Sequence, residues 1–411
     1  MEHVGKWAAG MALAALLAGG SAGIWIGKDT GTAAAAGAVA MEAAAGVELR
    51  DIAGHWAETA IRGAAGKRYV DGYQDGSFLP DRQVSRAEFV KMAAAALKLS
   101  VADSAGGSDW YQVYVNAAVG AGVHQWSDFT SGDWNTPMKR SEMARMAVRA
   151  AGQNTEDDLE WMYLATKAGL IQGVDATGSL DVDGTTTRAQ AVTIIERILA
   201  VKDGRGEEIA AQADKHAVNR AAVLWRKTNI FEVMPEFFGS KVISPWDTNK
   251  LVVETPDGLY KGEVEKIIAI DFGDPNDPHR NVLGDIGELK WYAGWSKYYK
   301  VIDNPESYGV VAFGRTEYSS DETKYGDSPP IFYISGFTGG SSKEMSETGE
   351  LQSFATLQFS RESLVEGFII PKHGQKIRDG YLDIEVKAPA IPPTNPQSRF
   401  VLTVRGPEVI E

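Results

Sequence analysis

Three arginines stand where a helix would begin. Arg86 follows Ser85 and precedes Glu88, Arg188 follows Thr187 and precedes Gln190, and Arg140 follows Lys139. Ser85-x-x-Glu88 and Thr187-x-x-Gln190 have the form of capping boxes: the hydroxyl accepts from the backbone N–H three residues on, and the carboxylate or amide reaches back to the cap N–H. Each Arg then occupies the first helical position, where the positive end of the helix dipole disfavours a cation by a few tenths to about 1 kcal/mol. Two readings explain a cation set against that field. Free backbone N–H groups at the helix start plus a bidentate guanidinium make a carboxylate site, for which Arg is better suited than Lys. Alternatively each Arg pairs with a neighbouring Asp or Glu and orients its helix.

Other residues carry possible chemistry. Asp271, Asp274, Asn276 and Asp277 crowd one loop and can offer hard oxygens to calcium, although the loop lacks EF-hand spacing. Lys290 to Tyr299 holds five aromatics, which form a glycan or protein platform if exposed and sheet core if buried. Asp285 and Glu288 are a conceivable carboxylate pair for glycoside hydrolysis. No Ser-His-Asp order, zinc spacing or phosphate-cradling glycine loop stands out.

The elements that position the arginines recur along the chain. A shift of 54 carries Trp56 onto Trp110 and Arg86 onto Arg140 without a gap. A shift of 101 carries the Val70 region onto Gly169 to Gly173, and one inserted residue then brings Gly76, Ser85 and Arg86 onto Gly178, Thr187 and Arg188. Repetition at this period implies stacked supersecondary units sharing a core, because a unit so small cannot bury its apolar face alone. Each unit reads as helix, loop, helix, with helices at Ala57 to Lys67, Ser85 to Leu97, Arg140 to Ala151 and Arg188 to Val201. In the loop, Gly72 and Gly76 supply positive φ or close backbone approach, or else touch ligand, and Asp75 closes an Asx turn. Trp56 and Trp110 can stack on a sugar face or wedge into the core at a helix start.

The stretches Leu49-Arg50-Asp51-Ile52-Ala53-Gly54-His55-Trp56-Ala57, Val70-Asp71-Gly72-Tyr73-Gln74-Asp75-Gly76-Ser77-Phe78-Leu79-Pro80 and Ser85-Arg86-Ala87-Glu88-Phe89 together resemble one S-layer homology repeat, with two divergent copies after it. The resemblance implies a pseudo-threefold helical assembly with clefts between neighbouring repeats. It also implies, as ligand, a secondary cell-wall polymer, often ending in a pyruvylated amino sugar whose carboxylate the arginines would meet. The later copies depart from the pattern. Trp126 and Thr130 stand at the positions of Gly72 and Gly76, and Lys139 takes the cap, which Lys serves poorly. In the third copy Asp157 replaces the Trp, while Trp161 falls at the position of Ala60. The cleft built by the first copy is therefore the expected binding site.

After a polar and then aromatic connecting segment the pattern changes. Lys250 to Glu254, Val264 to Asp271, Tyr308 to Phe313, Ile331 to Ile334, Ala355 to Phe359, Tyr381 to Val386 and Phe400 to Val404 are β-branched and aromatic runs bounded by turn residues. They predict a β-sandwich or barrel of about eight strands. The expected organisation is α + β and multidomain: signal peptide 1–40, linker 41–47, repeats 48–100, 101–153 and 154–205, connecting segment 206–240 and a β-rich domain 241–411. Lys6, the apolar stretch from Trp7 to Ile26 and Ala38-Val39-Ala40 form the signal pattern, with an uncleaved anchor as the alternative.

Composition narrows the function. Net charge -14, from 41 basic and 55 acidic residues, disfavours nucleic acid, and the absence of Cys excludes disulfides and thiolate chemistry. The expectation is a non-enzymatic, exported wall protein with no cofactor unless calcium binds, and with no membrane contact after signal cleavage. Its β domain would serve assembly, self-association or adhesion. A wall-tethered glycan-acting enzyme and a lattice or filament subunit with purely structural repeats are the alternatives.

Overall fold

A computed structural model describes residues 49–103, 109–129, 131–239, 241–338, 342–358 and 364–406. The expected signal segment 1–40, the linker 41–47 and Thr130 lie outside these. In chain order the repeat region forms α1 (Glu58–Gly66), α2 (Arg86–Ala96), α3 (Gln112–Gly120), α4 (Arg140–Ala150), α5 (Glu160–Lys167) and α6 (Arg188–Ala200). The four helices read from the sequence thus fall within a residue of their expected ends. The chain divides into two compact units, each described by itself.

The first unit comprises Met1–Ala121, Asp133–Met138 and Thr186–Glu196. Helix α2 starts where the Ser85 hydroxyl accepts from the Glu88 N–H at 3.2 Å and the Glu88 carboxylate accepts from the Ser85 N–H at 2.9 Å. Its buried face carries Phe89, Val90, Met92, Ala93 and Ala96, and the run of alanines lets neighbouring backbone approach closely. The three-part repetition is closed by hydrogen bonds among equivalent residues. The Val84 N–H donates to Thr186 O, that of Thr186 to Met138 O and that of Met138 to Val84 O, each at 2.9 Å. Met138 lies 54 residues after Val84 and Thr186 lies 102 after it, the offsets at which the sequence repeats.

The second unit comprises Gly122–Gly132, Lys139–Thr185 and Arg197–Glu411. After α6 come α7 (Gly206–Ala210), α8 (Lys215–Arg226), α9 (Ile230–Val233) and α10 (Pro235–Phe238), and then two antiparallel sheets. One has seven strands in the order β2 (Val252–Glu254), β3 (Tyr260–Asp271), β6 (Ser307–Ser319), β10 (Leu364–Pro371), β9 (Ala355–Gln358), β4 (Lys290–Gly294) and β5 (Lys297–Lys300). The other runs β1 (Lys241–Ser244), β13 (Arg399–Arg405), β12 (Tyr381–Lys387) and β7 (Ile331–Ser335), and a two-residue pair joins β8 (Phe337–Thr338) to β11 (Lys376–Ile377). Residues from both sheets, among them Ile267, Val310, Phe332, Ile384 and Leu402, form one core with Phe237 and Phe238. A second core, with Ile268, Val311, Trp291 and Ile369, covers the opposite face of the seven-stranded sheet.

The sandwich expected from the alternating runs is present, with thirteen strands among the described residues in place of about eight. The extra strands include β1 and the β4–β5 hairpin, which are short, and β10, whose buried Phe-Ile-Ile run is only three residues long between Gly367 and Pro371. The aromatic run divides between its two expected fates. Trp291 is fully buried and Tyr299 half-buried, whereas Tyr292, Trp295 and Tyr298 are exposed.

Candidate functional site

The first repeat's loop is built by its small and acidic residues. A Cβ at Gly72 would lie 2.5 Å from Leu49 Cδ2 and 3.0 Å from Ser77 O, so close approach explains that glycine, while Gly76 has φ of 79°. Asp75 Oδ1 accepts from the Ser77 N–H at 2.9 Å and its hydroxyl at 2.6 Å, the expected Asx turn. The Asp51 carboxylate accepts from the N–H groups of Phe78 and Leu79, both at 2.7 Å. Burial pushes its pKa up, but these backbone bonds outweigh that and hold it below the ordinary value.

Arg188 reaches this loop within the first unit. Its Nε donates to Phe78 O at 2.9 Å and its Nη2 to Asp71 O at 3.3 Å, and the guanidinium stands 4.6 Å from the Phe78 ring centroid and 5.1 Å from that of Tyr73. Arg188, Tyr73, Asp71, Lys91 and Trp110 are among the residues that line a cleft of about 260 Å³. The Lys91 ammonium lies 5.8 Å from the Trp110 ring centroid. Tyr69, also at the cleft, donates to Glu196 at 2.8 Å, and burial followed by the Glu196 charge pushes its phenol pKa up. Glu88 is engaged in capping Ser85 and in an ion pair with Arg82 at 3.3 Å. The cleft therefore presents an ammonium and a guanidinium beside aromatic faces, an arrangement that can hold an anion carrying an apolar face.

The helix starts are not the open N–H sites expected from the sequence. The Arg86 N–H donates to Thr136 O at 3.1 Å and that of Ala87 to Trp134 O at 2.9 Å. Arg188 and Ala189 likewise donate to Arg82 O and Pro80 O, and Arg140 and Ser141 to Gly184 O and Val182 O. These equivalent bonds use the orphan donors of the first turn. The guanidinium groups are buried, with Arg86 2% exposed, Arg140 5% and Arg188 7%. Arg140 donates to Leu180 O at 2.7 Å and Gln172 O at 2.6 Å, and Arg86 donates to Asp133 O at 3.3 Å. Bonds of this kind tie each helix start to the loop of another repeat, and for Arg140 and Arg188 they go to carbonyls in place of the expected carboxylate.

Of the residues selected from the sequence, Trp110 and Arg188 line the cleft, and Gly72, Asp75 and Gly76 shape its loop. Ser85 and Thr187 act as caps, the Thr187 hydroxyl accepting from the Gln190 N–H at 3.3 Å. Trp56 is 64% exposed and is no core wedge, because α1 begins after it and buries Ile61 and Ala64 instead. Lys91, Tyr69 and Tyr73 were not selected. Lys91 follows Glu88 by one helical turn, and Tyr69 and Tyr73 flank the Val70-Asp71-Gly72 segment, so their proximity to the chosen residues was the available signal.

The corresponding surfaces in the second unit are occupied. Lys91 corresponds to Arg145, which pairs with Asp158 at 3.2 Å. Beneath it Asp128 accepts from Arg149 at 2.6 Å, His124 Nδ1 lies 3.0 Å from the same carboxylate, and the Arg149 guanidinium stacks 4.6 Å from the Trp161 centroid. Burial pushes the Asp128 pKa up, but the hydrogen bonds from His124 and Arg149 hold it at about 2. The third repeat's loop is covered by the connecting segment. Gln172 donates to Gln212 O at 3.0 Å, the Gly173 N–H to Asp214 at 3.2 Å, and a Cβ at Gly178 would lie 2.4 Å from Ala217 N. At the second helix start Lys139 cannot accept as a cap; its N–H donates to Glu142 at 3.0 Å and its ammonium pairs with Asp183 at 2.9 Å.

The acidic loop gives each carboxylate its own occupant. Asp274 accepts from Lys215 at 2.6 Å and lies 3.2 Å from His216 Nε2, and Asp271 pairs with Lys372 at 2.7 Å. Asp277 accepts the backbone N–H groups of Asp271 and His279, at 2.9 and 2.8 Å, and the Asn276 N–H donates to Asp274. Among the described residues no three His, Asp or Glu side chains converge as metal ligands. Asp285 closes a turn by accepting the Gly287 N–H at 2.8 Å, and Glu288 pairs with Lys300 at 3.2 Å on the surface.

Residues 48–90 match the S-layer homology domain family. The chain is 28% identical to an amylopullulanase of Thermoanaerobacterium thermosulfurigenes over 37% of its own length and 9% of that protein's. It is 29% identical to exoglucanase XynX of Acetivibrio thermocellus over 37% of its length and 16% of the relative's. An S-layer protein of Bacillus thuringiensis subsp. finitimus is 25% identical over 57% of the chain and 27% of that protein. The chain thus covers less than a third of each of these relatives. The S-layer homology domain implies cell-wall anchoring, and with these relatives it indicates a cell-surface, cell-wall-associated protein. No helix among the described residues is long and apolar enough to cross a membrane.

Proposed function

We propose that the protein is held non-covalently to a secondary cell-wall polysaccharide through the cleft of its first repeat and carries its β domain there as a non-catalytic module for surface assembly or adhesion. The observation that carries this reading is the pairing of Lys91 with the Trp110 ring in a cleft that Arg188 and Tyr73 also line. A sugar presents apolar C–H faces to the rings, and an acidic substituent such as a pyruvate ketal presents a carboxylate to Lys91. Arg188 is largely committed to Phe78 O and Asp71 O, so its role is to fix the loop and lend positive potential, with Lys91 making the direct contact. The filled surfaces around Arg149 and over Gly173 favour one working cleft over three.

Co-sedimentation of the full chain with purified wall sacculi tests the reading, before and after chemical removal of the non-peptidoglycan polymer. Binding lost on stripping supports it; equal binding to both preparations refutes it. A wall-tethered hydrolase is the second reading, favoured by the names of two relatives. Release of reducing sugar from wall material, abolished by a carboxylate substitution in the β domain, would establish it.

A further inference from the structure

We propose that the β4–β5 hairpin, with strand β9 beside it, is a second glycan-binding surface, a platform for an extended acidic polysaccharide. Three local features of the hairpin are not required by the sandwich, and the second and third of them cost stability. First, Tyr292 lies directly opposite Tyr298 with ring centroids 5.3 Å apart, and the two remain 40% and 45% exposed. Their neighbours Trp291 and Tyr299 face the second core, so the tyrosines lie on the opposite sheet face. The exposure of Tyr292, Tyr298, Thr356 and Gln358 shows that the four-stranded sheet leaves this part of the face uncovered.

Second, Lys290 lies directly opposite Lys300 on that face, in a chain of net charge -14. Like charges at opposed positions destabilise a strand pair, and only Lys300 has a carboxylate within ion-pair reach among the described residues, Glu288 at 3.2 Å. Third, the two turn residues are Trp295 and Ser296, with φ of 53° and 60°. Turns with positive φ at both positions favour Asn and Gly, and a bulky residue there is strained. Trp295 is nevertheless 73% exposed at the tip. Strain of this kind gathers where a binding surface needs a particular side chain.

Ring faces, opposed ammonium groups and hydrogen-bonding Thr356 and Gln358 on one uncovered sheet face match a sugar chain that alternates apolar ring faces, hydroxyls and carboxylates. The positive charge makes the occupant anionic, and the paired exposed rings, tilted 44° to each other, make it a carbohydrate and not a simple polyanion. This surface shares no residue with the first repeat's cleft, and the inference does not depend on the cleft's function.

Affinity electrophoresis of the full chain in native gels containing polygalacturonate, dextran or polyglutamate tests the proposal. Polygalacturonate should retard the chain more than either other polymer. Tyr292→Ala/Tyr298→Ala should weaken retardation by about tenfold, while Tyr292→Phe/Tyr298→Phe, which keeps the rings, should stay within about twofold. Lys290→Gln/Lys300→Gln should weaken it and flatten its salt dependence, and Lys91→Gln in the cleft should leave the tyrosine-dependent part unchanged. The proposal is overturned if polygalacturonate does not retard the chain, if polyglutamate retards it equally, or if the Tyr→Ala pair runs as the parent does.

Discussion

Replacing Asp128 by Asn should destabilise the second unit substantially while preserving side-chain shape. Asp128 Oδ2 accepts from Arg149 at 2.6 Å and from the Gln125 N–H at 2.8 Å, with His124 Nδ1 3.0 Å away, and the side chains of Asp128, Arg149 and His124 are 2%, 7% and 1% exposed. Asn removes the charge and leaves Arg149 buried against Trp161 with its cation uncompensated, a loss of about 3–5 kcal/mol for a buried pair. The titration gives a second figure. A carboxyl held at about 2 when folded and at 3.8 when unfolded contributes about 2–3 kcal/mol near neutral pH. Because the folded pKa is depressed, that contribution is complete above the unfolded value and is lost as pH falls through the folded one. At pH ~3 about half of it should remain. Hydrogen exchange read by mass spectrometry on peptides covering residues 122–150, compared between parent and D128N at neutral pH and at pH ~3, measures the local opening free energy. A gap of about 2–5 kcal/mol is expected at neutral pH, shrinking on acidification. A gap under about 0.5 kcal/mol, or one that does not change with pH, would refute it.

Other substitutions probe the rest of the account. Lys139→Ser gives α4 the cap that α2 already has and should stabilise the chain by about 0.5–1 kcal/mol in urea denaturation, less whatever the exposed Lys139–Asp183 pair contributed. Gly76→Ala forces a side chain to φ of 79° with Arg50 Nε 3.3 Å from the new Cβ, and should cost about 1 kcal/mol and weaken wall binding together. Arg188→Lys keeps the charge but loses the fork that spans Phe78 O and Asp71 O; wall binding should fall by about tenfold, with a lower melting temperature that Lys91→Gln does not show.

The repeat architecture was legible because two spacings recur across unrelated residue types, and Val84, Met138 and Thr186 bond to one another at those spacings. Helix ends were legible from Ser85, Glu88, Thr187 and Gln190, whose capping chemistry is local. What escaped was the destination of the helix-start donors. Thr136, Gly184 and Arg82 supply the carbonyls from other repeats, and nothing near Arg86, Arg140 or Arg188 in sequence announces them. The cleft was half legible. Trp110 and Arg188 came from the repeat alignment, but Lys91 and Tyr69 become neighbours of Trp110 only through helix packing. The exposure of Trp56 escaped for the same reason, since a helix-start Trp points inward or outward according to what packs on it. In the β region, β3 and β6 were readable from long apolar runs although both of their faces are buried, whereas β10, whose apolar run is broken by Glu366 and Gly367 and stops at Pro371, and the aromatic hairpin at the sheet edge were not.

The most direct measurement is binding of the full chain to polymer-bearing and polymer-stripped wall sacculi, comparing the parent with Lys91→Gln and Trp110→Ala. Anchoring through the first repeat's cleft predicts that the parent binds only polymer-bearing walls and that each substitution weakens binding by about tenfold or more with the fold intact. Undiminished binding by both variants would contradict it.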